Sequence, residues 1–251
     1  MTTRRGLIGA GLGGLLLSGC ERANRSPALQ AFIGHGQDLT FHAQRWLLSD
    51  QPLAREFKSS EISPLFKVNG SRQPTSAAYN AFLAKGFSDW RLMVDGLVTA
   101  PMSFSLAELR AMPVRTQITR HDCVEGWSAI GGWTGVQLGL VLGRVGLQPD
   151  ARYVVFHCAD NLGGQGDAGL YYESIDLFDA FHPQTLLAYA MNGQTLPVEH
   201  GAPLRLRVER QLGYKQAKYI MRIEVTDRLD RVGGGKGGFW EDRGYEWYAG
   251  I

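Results

Sequence analysis

Cysteine is scarce in this sequence. Only three cysteines, Cys20, Cys123 and Cys158, occur in 251 residues, and none belongs to a CxxC pair or to a CxxCH haem-attachment motif. A zinc site built from cysteines is therefore not predicted, nor is a covalently attached c-type haem. If the chain is exported, Cys123 and Cys158 could form a disulfide, and the sequence leaves that pairing open.

The sequence also lacks a strong charge of one sign. Lysine and arginine number 26 against 24 acidic residues, which gives a formal net charge of +2. No basic stripe is interleaved with aromatic residues, so a nucleic-acid partner is not expected. The glycine-rich segment around Lys236 has no Ser or Thr after the lysine and is not a P-loop. We expect the aromatic residues that follow it to cap the core.

Residues 1–20 have the features of a targeting segment. Arg4 and Arg5 form a twin-arginine pattern, and the apolar run that follows is too short and too rich in glycine for a stable membrane-spanning helix. The run ends at Cys20 in a sequence typical of a bacterial lipobox. We therefore predict export to the periplasm by the twin-arginine route, with membrane association if Cys20 is acylated.

The remainder of the chain divides into an extension and one domain. Residues 21–64 contain an amphipathic helical pattern that includes Leu39, Phe41, Trp46, Leu47 and Leu48. Residues 65–251 are predicted to form a single domain of α+β class. The 32 glycines of the whole chain, together with its scattered Thr, Val and Tyr, favour a mostly β fold with peripheral helices.

Local signals place the elements around Cys123. Ser105 and Glu108 form a capping box for a short helix, and residues 114–119 alternate as a strand that runs into the cysteine. Residues 91–94 and 97–98 are predicted to be strands on either side of a tight turn, and 135–145 to be a helix. Residues 151–158 are predicted to be a buried strand.

Residues 119–136 hold the most unusual local composition. Cys123 lies among Arg120, His121, Asp122 and Glu125, close to two tryptophans. A thiolate ligand beside proton carriers and bulky aromatic side chains suits a buried reactive centre. A single cysteine can equally be an inert buried side chain.

Together these elements resemble the molybdopterin-binding domain shared by sulfite oxidases, eukaryotic nitrate reductases and the periplasmic molybdenum methionine sulfoxide reductases. The resemblance covers residues 65–251 and depends on anchors in the same order along the chain. The anchors are 90–92 with Gly96, 105–106, 123–127, 133–136, 191–193, 196–197, 200–203 with Arg205, and 213–218. It implies a sulfite oxidase-type fold in which the Cys123 thiolate binds a molybdenum held otherwise by one pyranopterin and oxo groups.

The resemblance also implies a set of cofactor contacts. Asn69 matches a pterin-contacting Asn, Cys158 stands where the methionine sulfoxide reductases have a Thr, and His200 replaces their Asn. Arg205 matches an arginine on the phosphate side of the cofactor. The remaining contacts form a backbone-and-lysine clamp: Gln216, Ala217 and Lys218. Lys215 and Lys218 lie in one turn, which also suggests an anion-binding segment.

The sequence gives a preference among reactions. Sulfite oxidases have an arginine pair shortly after the metal cysteine, whereas this chain has Val124-Glu125-Gly126-Trp127 there. Glu125 matches a Glu of the methionine sulfoxide reductases, so reduction of an S-oxide or N-oxide, in a small molecule or a protein, is predicted, with Glu125 or His121 supplying protons. His121 and Asp122 could instead be a structural pair that orients the loop.

The electron source and two alternatives complete the prediction. Because the chain has no haem, flavin or iron–sulfur motif, its electrons are expected to come from an external carrier, either a membrane haem subunit or a cytochrome. One alternative is a sulfite dehydrogenase-like molybdoenzyme. The other is a non-catalytic lipoprotein binding module of the same fold with a Cys123–Cys158 disulfide.

Overall fold

The computed structural model describes residues 26–47, 52–163 and 169–251. Contacts divide the chain after Pro52 into two units. The targeting segment, with Arg4, Arg5 and Cys20, lies outside the described residues, as does Leu48 of the amphipathic pattern.

The first unit contains one helix, α1 (Pro27–Leu47), within the part of the chain where an amphipathic helix was predicted. Its C-terminal turn carries Arg45, whose guanidinium lies 5.2 Å from the Phe41 ring. The large apolar side chains of Leu39, Trp46 and Leu47 are exposed. Within the described parts of the chain, no helix combines the length and the apolarity that a membrane crossing requires.

The second unit, Leu53–Ile251, contains ten strands and four short α-helices among its described residues. The strands are β1 (Arg91–Gly96), β2 (Met102–Ser105), β3 (Val114–Cys123), β4 (Trp127–Gln137), β5 (Tyr153–Asn161), β6 (Leu170–Asp176), β7 (Leu186–Met191), β8 (Gln194–Thr195), β9 (Arg205–Arg207) and β10 (Ile220–Thr226). The helices are α2 (Ala77–Ala84), α3 (Leu106–Arg110), α4 (Leu138–Val145) and α5 (Leu177–Ala180). The prediction of a mostly β domain with peripheral helices is confirmed.

The strands form two five-stranded sheets. One has the order β2-β1-β10-β5-β6, in which only β1 and β10 are parallel. The other has the order β3-β4-β7-β8, with β9 also paired to β7. The long β3–β4 hairpin pairs Cys123 with Trp127 at its tip, so the cysteine lies at a strand end, as predicted.

The main hydrophobic core draws on both sheets and on α4. Val94, Phe156 and Ile223 come from the first sheet, and Val136 and Leu187 from the second. A smaller cluster on the second sheet surrounds Trp133 and includes Phe66, Ala129 and Met191. Burial of these apolar side chains is the main favourable contribution to folding of the unit.

Several local predictions can be compared with the structure. The capping box is confirmed, because the Glu108 amide donates to Ser105 Oγ at 3.2 Å and the Ser105 amide donates to Glu108 Oε2 at 2.6 Å. The helix predicted from residue 135 was wrong at its start, since β4 continues to Gln137. Gly135 packs against β7 so closely that a Cβ atom there would lie 2.2 Å from the Leu187 carbonyl oxygen, a feature of strand pairing that sequence periodicity does not show.

The region after β1 also differs from the prediction. Residues 97–98 do not form a strand, and Val98 makes only an isolated bridge with Leu147. The antiparallel partner of β1 is instead β2. Residues 53–64, assigned to the extension from sequence, belong to this unit and hydrogen-bond to its strands, for example through the Phe57 amide, which donates to the Ile118 carbonyl oxygen at 2.8 Å.

Candidate active site

Cys123 lies on the inner face of β3, where the strand ends. Alternate residues of the strand, Gln117, Thr119, His121 and Cys123, are buried, as the two-residue period of a strand requires. The turn to β4 is closed by the Gly126 amide, which donates to the Cys123 carbonyl oxygen at 3.0 Å. This hairpin tip holds the thiol in a fixed place, at 8% exposure.

The thiol lies at a pocket of about 150 Å³ formed by six segments of the second unit. The pocket is lined by Asn69, Gly70, Cys123, Val124, Glu125, Asp160, Leu162, Tyr171, Gly213, Tyr214, Gln216, Lys218, Trp240 and Tyr245. Five of the residues predicted from sequence are therefore brought together: Asn69, Cys123, Glu125, Gln216 and Lys218.

Cys123 and Glu125 meet at the hairpin tip. Burial raises the pKa of the Cys123 thiol, and the Glu125 amide, which donates to the sulfur, partly offsets this effect. Bonding to a metal would remove the thiol proton, because metals bind the thiolate form. The Glu125 carboxylate accepts a hydrogen bond from Trp127 Nε1 at 2.9 Å, which orients it beside the pocket.

The polar part of the lining contains an acid and an amine that burial shifts toward neutrality. Asp160 accepts from Ser71 Oγ at 2.9 Å through Oδ2, while its Oδ1 has no partner. Burial raises the pKa of Asp160 to about 6 and lowers the pKa of Lys218 to about 7. Asn69 Oδ1 is also buried without a partner. These open positions are where a polar ligand would bind.

Arg205 and Arg207 lie close to the pocket, fully buried, with their guanidinium carbons 4.8 and 4.3 Å from the Trp133 ring centroid. Arg207 is paired with Glu209 through bonds of 2.9 and 2.5 Å. Arg205 donates only to the His200 carbonyl oxygen, at 3.0 Å, and its Nε and Nη2 atoms have no partner. Burial and the neighbouring Arg207 lower the pKa of Arg205 to about 9, and a bound anion would offset the cost of this buried charge.

His200 lies beside Arg205 and is buried. Its Nδ1 has no partner, and burial together with Arg205 lowers the pKa of its imidazole to about 4. The next residue, Gly201, packs between the side chains of Lys218 and Arg205. A Cβ atom at Gly201 would lie within 3.2 Å of both side chains. His200, Arg205 and Lys218 therefore form one group, which we call the cationic cluster.

His121 is fully buried and does not line the pocket. Its Nδ1 is 3.0 Å from Arg207 Nη1 and 3.3 Å from Gln216 Oε1, while its Nε2 has no hydrogen-bond partner. Nε2 lies against Gly213, where a Cβ atom would approach to 2.5 Å. Burial and the two arginines lower the pKa of His121 well below its ordinary value, which favours the neutral ring. Glu125, which lines the pocket, is the better placed of the two predicted proton carriers.

Three other predicted cofactor residues also lie outside the pocket lining. Lys215 is fully buried, with Nζ 2.5 Å from Glu173 Oε1 and 2.6 Å from Glu241 Oε1. Ala217 uses its carbonyl oxygen to accept from the Leu206 amide at 2.8 Å. Cys158 is buried on β5, and burial raises the pKa of its thiol well above the ordinary value.

Cys123 and Cys158 are both free thiols, so the disulfide-linked alternative is not what the structure forms. Among the described residues, no three His, Cys, Asp or Glu side chains gather as a metal site. Cys123 is the one cysteine among the described residues that line the pocket.

Sequence reasoning missed Asp160 and the aromatic part of the lining. Asp160 follows Cys158 by two residues in a buried strand, and a carboxylate at that place was the available signal. Of the aromatic residues of the tail, Phe239 is in the core as expected, but Trp240 and Tyr245 line the pocket. No local pattern distinguishes these two roles.

The fold and the site together define a class of protein: a mostly β domain with one buried cysteine at a pocket that has polar and aromatic lining residues. Residues 81–231, more than half of the chain, match the family described as the oxidoreductase molybdopterin binding domain. The chain belongs to this family. It is a molybdopterin-dependent oxidoreductase whose cofactor is molybdenum bound to molybdopterin.

Two curated relatives and one solved structure show how far the similarity extends. A protein of Azospira oryzae, provisionally named protein-methionine-sulfoxide reductase subunit YedZ1, is 40% identical over 95% of this chain and 84% of its own length. The protein-methionine-sulfoxide reductase catalytic subunit MsrP of Ralstonia nicotianae is 39% identical over 55% of this chain and 44% of its own length.

The solved structure is the sulfane dehydrogenase SoxCD from Paracoccus pantotrophus. It aligns with a TM-score of 0.50 and 24% identity over 56% of this chain and 39% of that chain. This likeness concerns the fold alone.

The residues present fit a molybdopterin. Arg205 and Lys218 offer cationic donors to its phosphate, and the unpartnered Nε and Nη2 of Arg205 are the strongest sign of an absent anion. Asn69 and Asp160 offer open acceptors to the amino and ring N–H groups of a pterin. Cys123 offers the soft sulfur that a high-valent molybdenum accepts.

Proposed function

We propose that this chain is the catalytic component of a periplasmic system that reduces S-oxides, with methionine sulfoxide in proteins as the substrate class. The names of two relatives, a methionine-sulfoxide reductase subunit and a catalytic subunit, support the substrate. In the reaction a sulfoxide takes up two electrons and two protons, the S–O bond breaks, and a thioether and water leave. The molybdenum, when bound, supplies two-electron oxygen-atom transfer.

The observation that carries this proposal is the charge of the pocket beside Cys123. The residues after the cysteine, Val124 and Glu125, bring an apolar side chain and a carboxylate to the lining, and Lys218 is the one cation among the lining residues described. Lys218 already donates to the Ser71 and Glu199 carbonyl oxygens, at 2.5 and 3.0 Å. A neutral oxide fits this lining better than sulfite, which needs cationic donors.

The protein side chains then divide the work. Arg205, Lys218, Asn69 and Asp160 would hold the cofactor through charge-assisted and polar contacts. Glu125, kept in place by Trp127, would carry protons to the oxygen that leaves the substrate.

The electrons would come from an external one-electron carrier, a membrane haem subunit or a soluble cytochrome. The name of one relative as a subunit supports a partner of this kind. Export by the twin-arginine route and lipid anchoring at Cys20 belong to the same proposal and depend on residues 1–20 of the sequence.

The test uses protein loaded with molybdopterin and a reduced viologen dye as the electron donor. N-acetylmethionine sulfoxide should be consumed, and Glu125→Gln should lower kcat about a hundredfold at unchanged molybdenum content. Glu61→Gln, at an exposed glutamate outside the pocket, is the matched control. Sulfite with ferricyanide should give little activity, and robust sulfite oxidation without oxide reduction would overturn the substrate assignment in favour of a sulfite dehydrogenase-like enzyme.

Cys123→Ser tests the metal site separately. The variant should lose molybdenum or alter its absorption spectrum, because the soft thiolate ligand is replaced by an alcohol. An unchanged metal content and spectrum would contradict the role of Cys123.

A further inference from the structure

Four aromatic side chains of the pocket lining form a continuous group, which we call the aromatic cluster: Tyr171, Tyr214, Trp240 and Tyr245. The Tyr214 and Tyr245 rings meet edge to face with centroids 5.2 Å apart. Trp240 stacks on Tyr245 at 5.4 Å with an interplanar angle of 29°. Val124 and Leu162 add two apolar side chains to the same lining.

Two polar atoms of the aromatic cluster are already used within the protein. The Tyr171 hydroxyl donates to the Tyr214 carbonyl oxygen, and the Tyr214 hydroxyl donates to the Glu246 carbonyl oxygen at 2.7 Å. These bonds use the hydroxyl protons of both tyrosines. The two side chains therefore offer a ligand mainly the carbon surface of their rings. The aromatic cluster thus contrasts with Asn69, Asp160 and Arg205, whose polar atoms lack partners.

The C-terminal segment that carries Trp240 and Tyr245 is held in place by backbone bonds. The Tyr245 amide donates to the Trp240 carbonyl oxygen at 3.0 Å, and the Leu212 amide donates to the Ala249 carbonyl oxygen at 2.9 Å. Glu241, between the two rings in sequence, is fixed by Lys215. The rings are therefore ordered before any ligand arrives, which lowers the entropic cost of binding.

We propose that the aromatic cluster is the substrate subsite of this enzyme: Trp240, Tyr245 and Tyr214 bind the sulfur and the alkyl groups of a neutral sulfoxide and of its thioether product. The proposal rests on the proposed function and adds to it the residues that select the substrate. It divides the pocket between the polar residues, which serve the cofactor, and the aromatic ones, which serve the substrate.

The selectivity follows from physical chemistry. A divalent sulfur gains a favourable contact with the edge or face of an aromatic ring about 5 Å away, and the alkyl groups leave water at the same time. An oxyanion in the same place would lose its hydration shell, and both nearby ammonium groups already have partners: Lys215 is held between Glu173 and Glu241, and Lys218 donates to the Ser71 and Glu199 carbonyl oxygens. The cluster should therefore favour neutral sulfur compounds over anions of similar size.

The experiment measures binding, so that it does not depend on turnover. N-acetylmethionine methyl ester, a neutral thioether, is titrated into the reduced, anaerobic, molybdopterin-loaded enzyme by calorimetry, with methanesulfonate as the anionic comparison. Trp240→Leu and Tyr245→Leu should each raise the Kd for the thioether about three- to tenfold. The weak binding of methanesulfonate should not change. Tyr245→Phe, which keeps the ring, should retain the affinity of the wild type.

Phe181→Leu is the matched control, because Phe181 is 43% exposed, close to the 39% of Tyr245, and lies outside the pocket. Thioether affinity that stays within twofold of wild type in both leucine variants, with molybdenum content retained, would overturn the proposal. If a leucine variant does not fold, Trp240→Phe and Tyr245→Phe carry the comparison, and a loss of affinity in Tyr245→Phe would also overturn it.

The outcomes separate this inference from the proposed function. Thioether binding that depends on the aromatic cluster, without any reduction of S-oxides, would contradict the function and support the subsite. Reduction of S-oxides with a KM that neither leucine substitution changes would support the proposed function and contradict the subsite.

Discussion

Two buried ionic clusters flank the pocket, and they are built on opposite principles. In the cationic cluster, three nitrogen atoms have no hydrogen-bond partner: His200 Nδ1, Arg205 Nε and Arg205 Nη2. The second, which we call the acid-pair cluster, places the single ammonium of Lys215 between the carboxylates of Glu173 and Glu241, all at most 1% exposed. The first cluster is rich in basic side chains, whereas the second has two carboxyl groups for one ammonium.

The difference shows which cluster awaits a ligand. Each buried donor left without a partner costs about 1–3 kcal/mol, so the cationic cluster is stable only if something offsets that cost, and the cofactor phosphate can do so. The acid-pair cluster needs no ligand. Glu173 Oε2 and Glu241 Oε2 both lack donors, so we expect one of the two carboxyl groups to keep its proton. Burial, the largest cause, raises the pKa of Glu173 well above its ordinary value, in agreement with a retained proton.

The largest expected effect comes from removing the ammonium of the acid-pair cluster. Lys215→Met should lower the free energy of unfolding of the cofactor-free protein by about 3–5 kcal/mol at pH 8, because it leaves the buried negative charge of the Glu173 and Glu241 pair without a counterion. Urea denaturation followed by circular dichroism measures the change. The loss should be smaller at pH 5, where the carboxylates can be protonated. A stability within 1 kcal/mol of the wild type would contradict the pairing.

A substitution in the cationic cluster should affect cofactor binding and leave the stability of the cofactor-free protein almost unchanged. Arg205→Met removes an unpaired buried charge, so the stability of the cofactor-free protein should change by less than about 1 kcal/mol or increase. Cofactor affinity should fall about ten- to a hundredfold, because charge-assisted bonds to the phosphate are lost. Pterin and molybdenum content after gel filtration measure that loss. A large loss of stability with full cofactor content would remove the distinction between the two clusters.

The smallest expected effect is a change in how protein stability depends on pH, and it tests whether Glu173 retains a proton. Because the folded pKa of Glu173 is raised, unfolding above the ordinary glutamate pKa releases a proton, and the stability of the wild type falls as the pH rises toward the folded pKa. Glu173→Gln imitates the protonated acid and should be about 1 kcal/mol more stable than the wild type at pH 8 and equal to it at pH 4. Urea denaturation across this range measures the difference. A stability difference between Glu173→Gln and the wild type that does not change with pH would show that Glu173 does not retain a proton.

The same contrast explains what the sequence could predict of the site. Lys215 and Lys218 lie three residues apart in one turn and were both expected to serve an anion. The partners that separate them are distant in sequence: Glu173 lies 42 residues before Lys215 and Glu241 lies 26 after it. No local pattern records such contacts. Cys123 and Glu125 were accessible because the strand and the turn that place them are local.

The fold shows the same limit. The capping box at Ser105 and the strand that ends at Cys123 depend on neighbouring residues, and both were predicted. The error at Gly135 arose because strand pairing with β7 overrides the local helical pattern. Asp160 and Trp240 were missed as pocket residues because their positions depend on how β5 and the C-terminal segment pack.

The C-terminal position of Trp240 and Tyr245 means that the pocket is completed late in translation. These residues are synthesised more than a hundred residues after Cys123. At about 5–20 residues per second, the ribosome reaches them roughly 6–24 s after the cysteine. A growing chain that already displays the complete β3–β4 hairpin therefore still lacks two aromatic side chains of its pocket. The finished pocket is available to a cofactor-inserting machinery only after Tyr245 has left the ribosome.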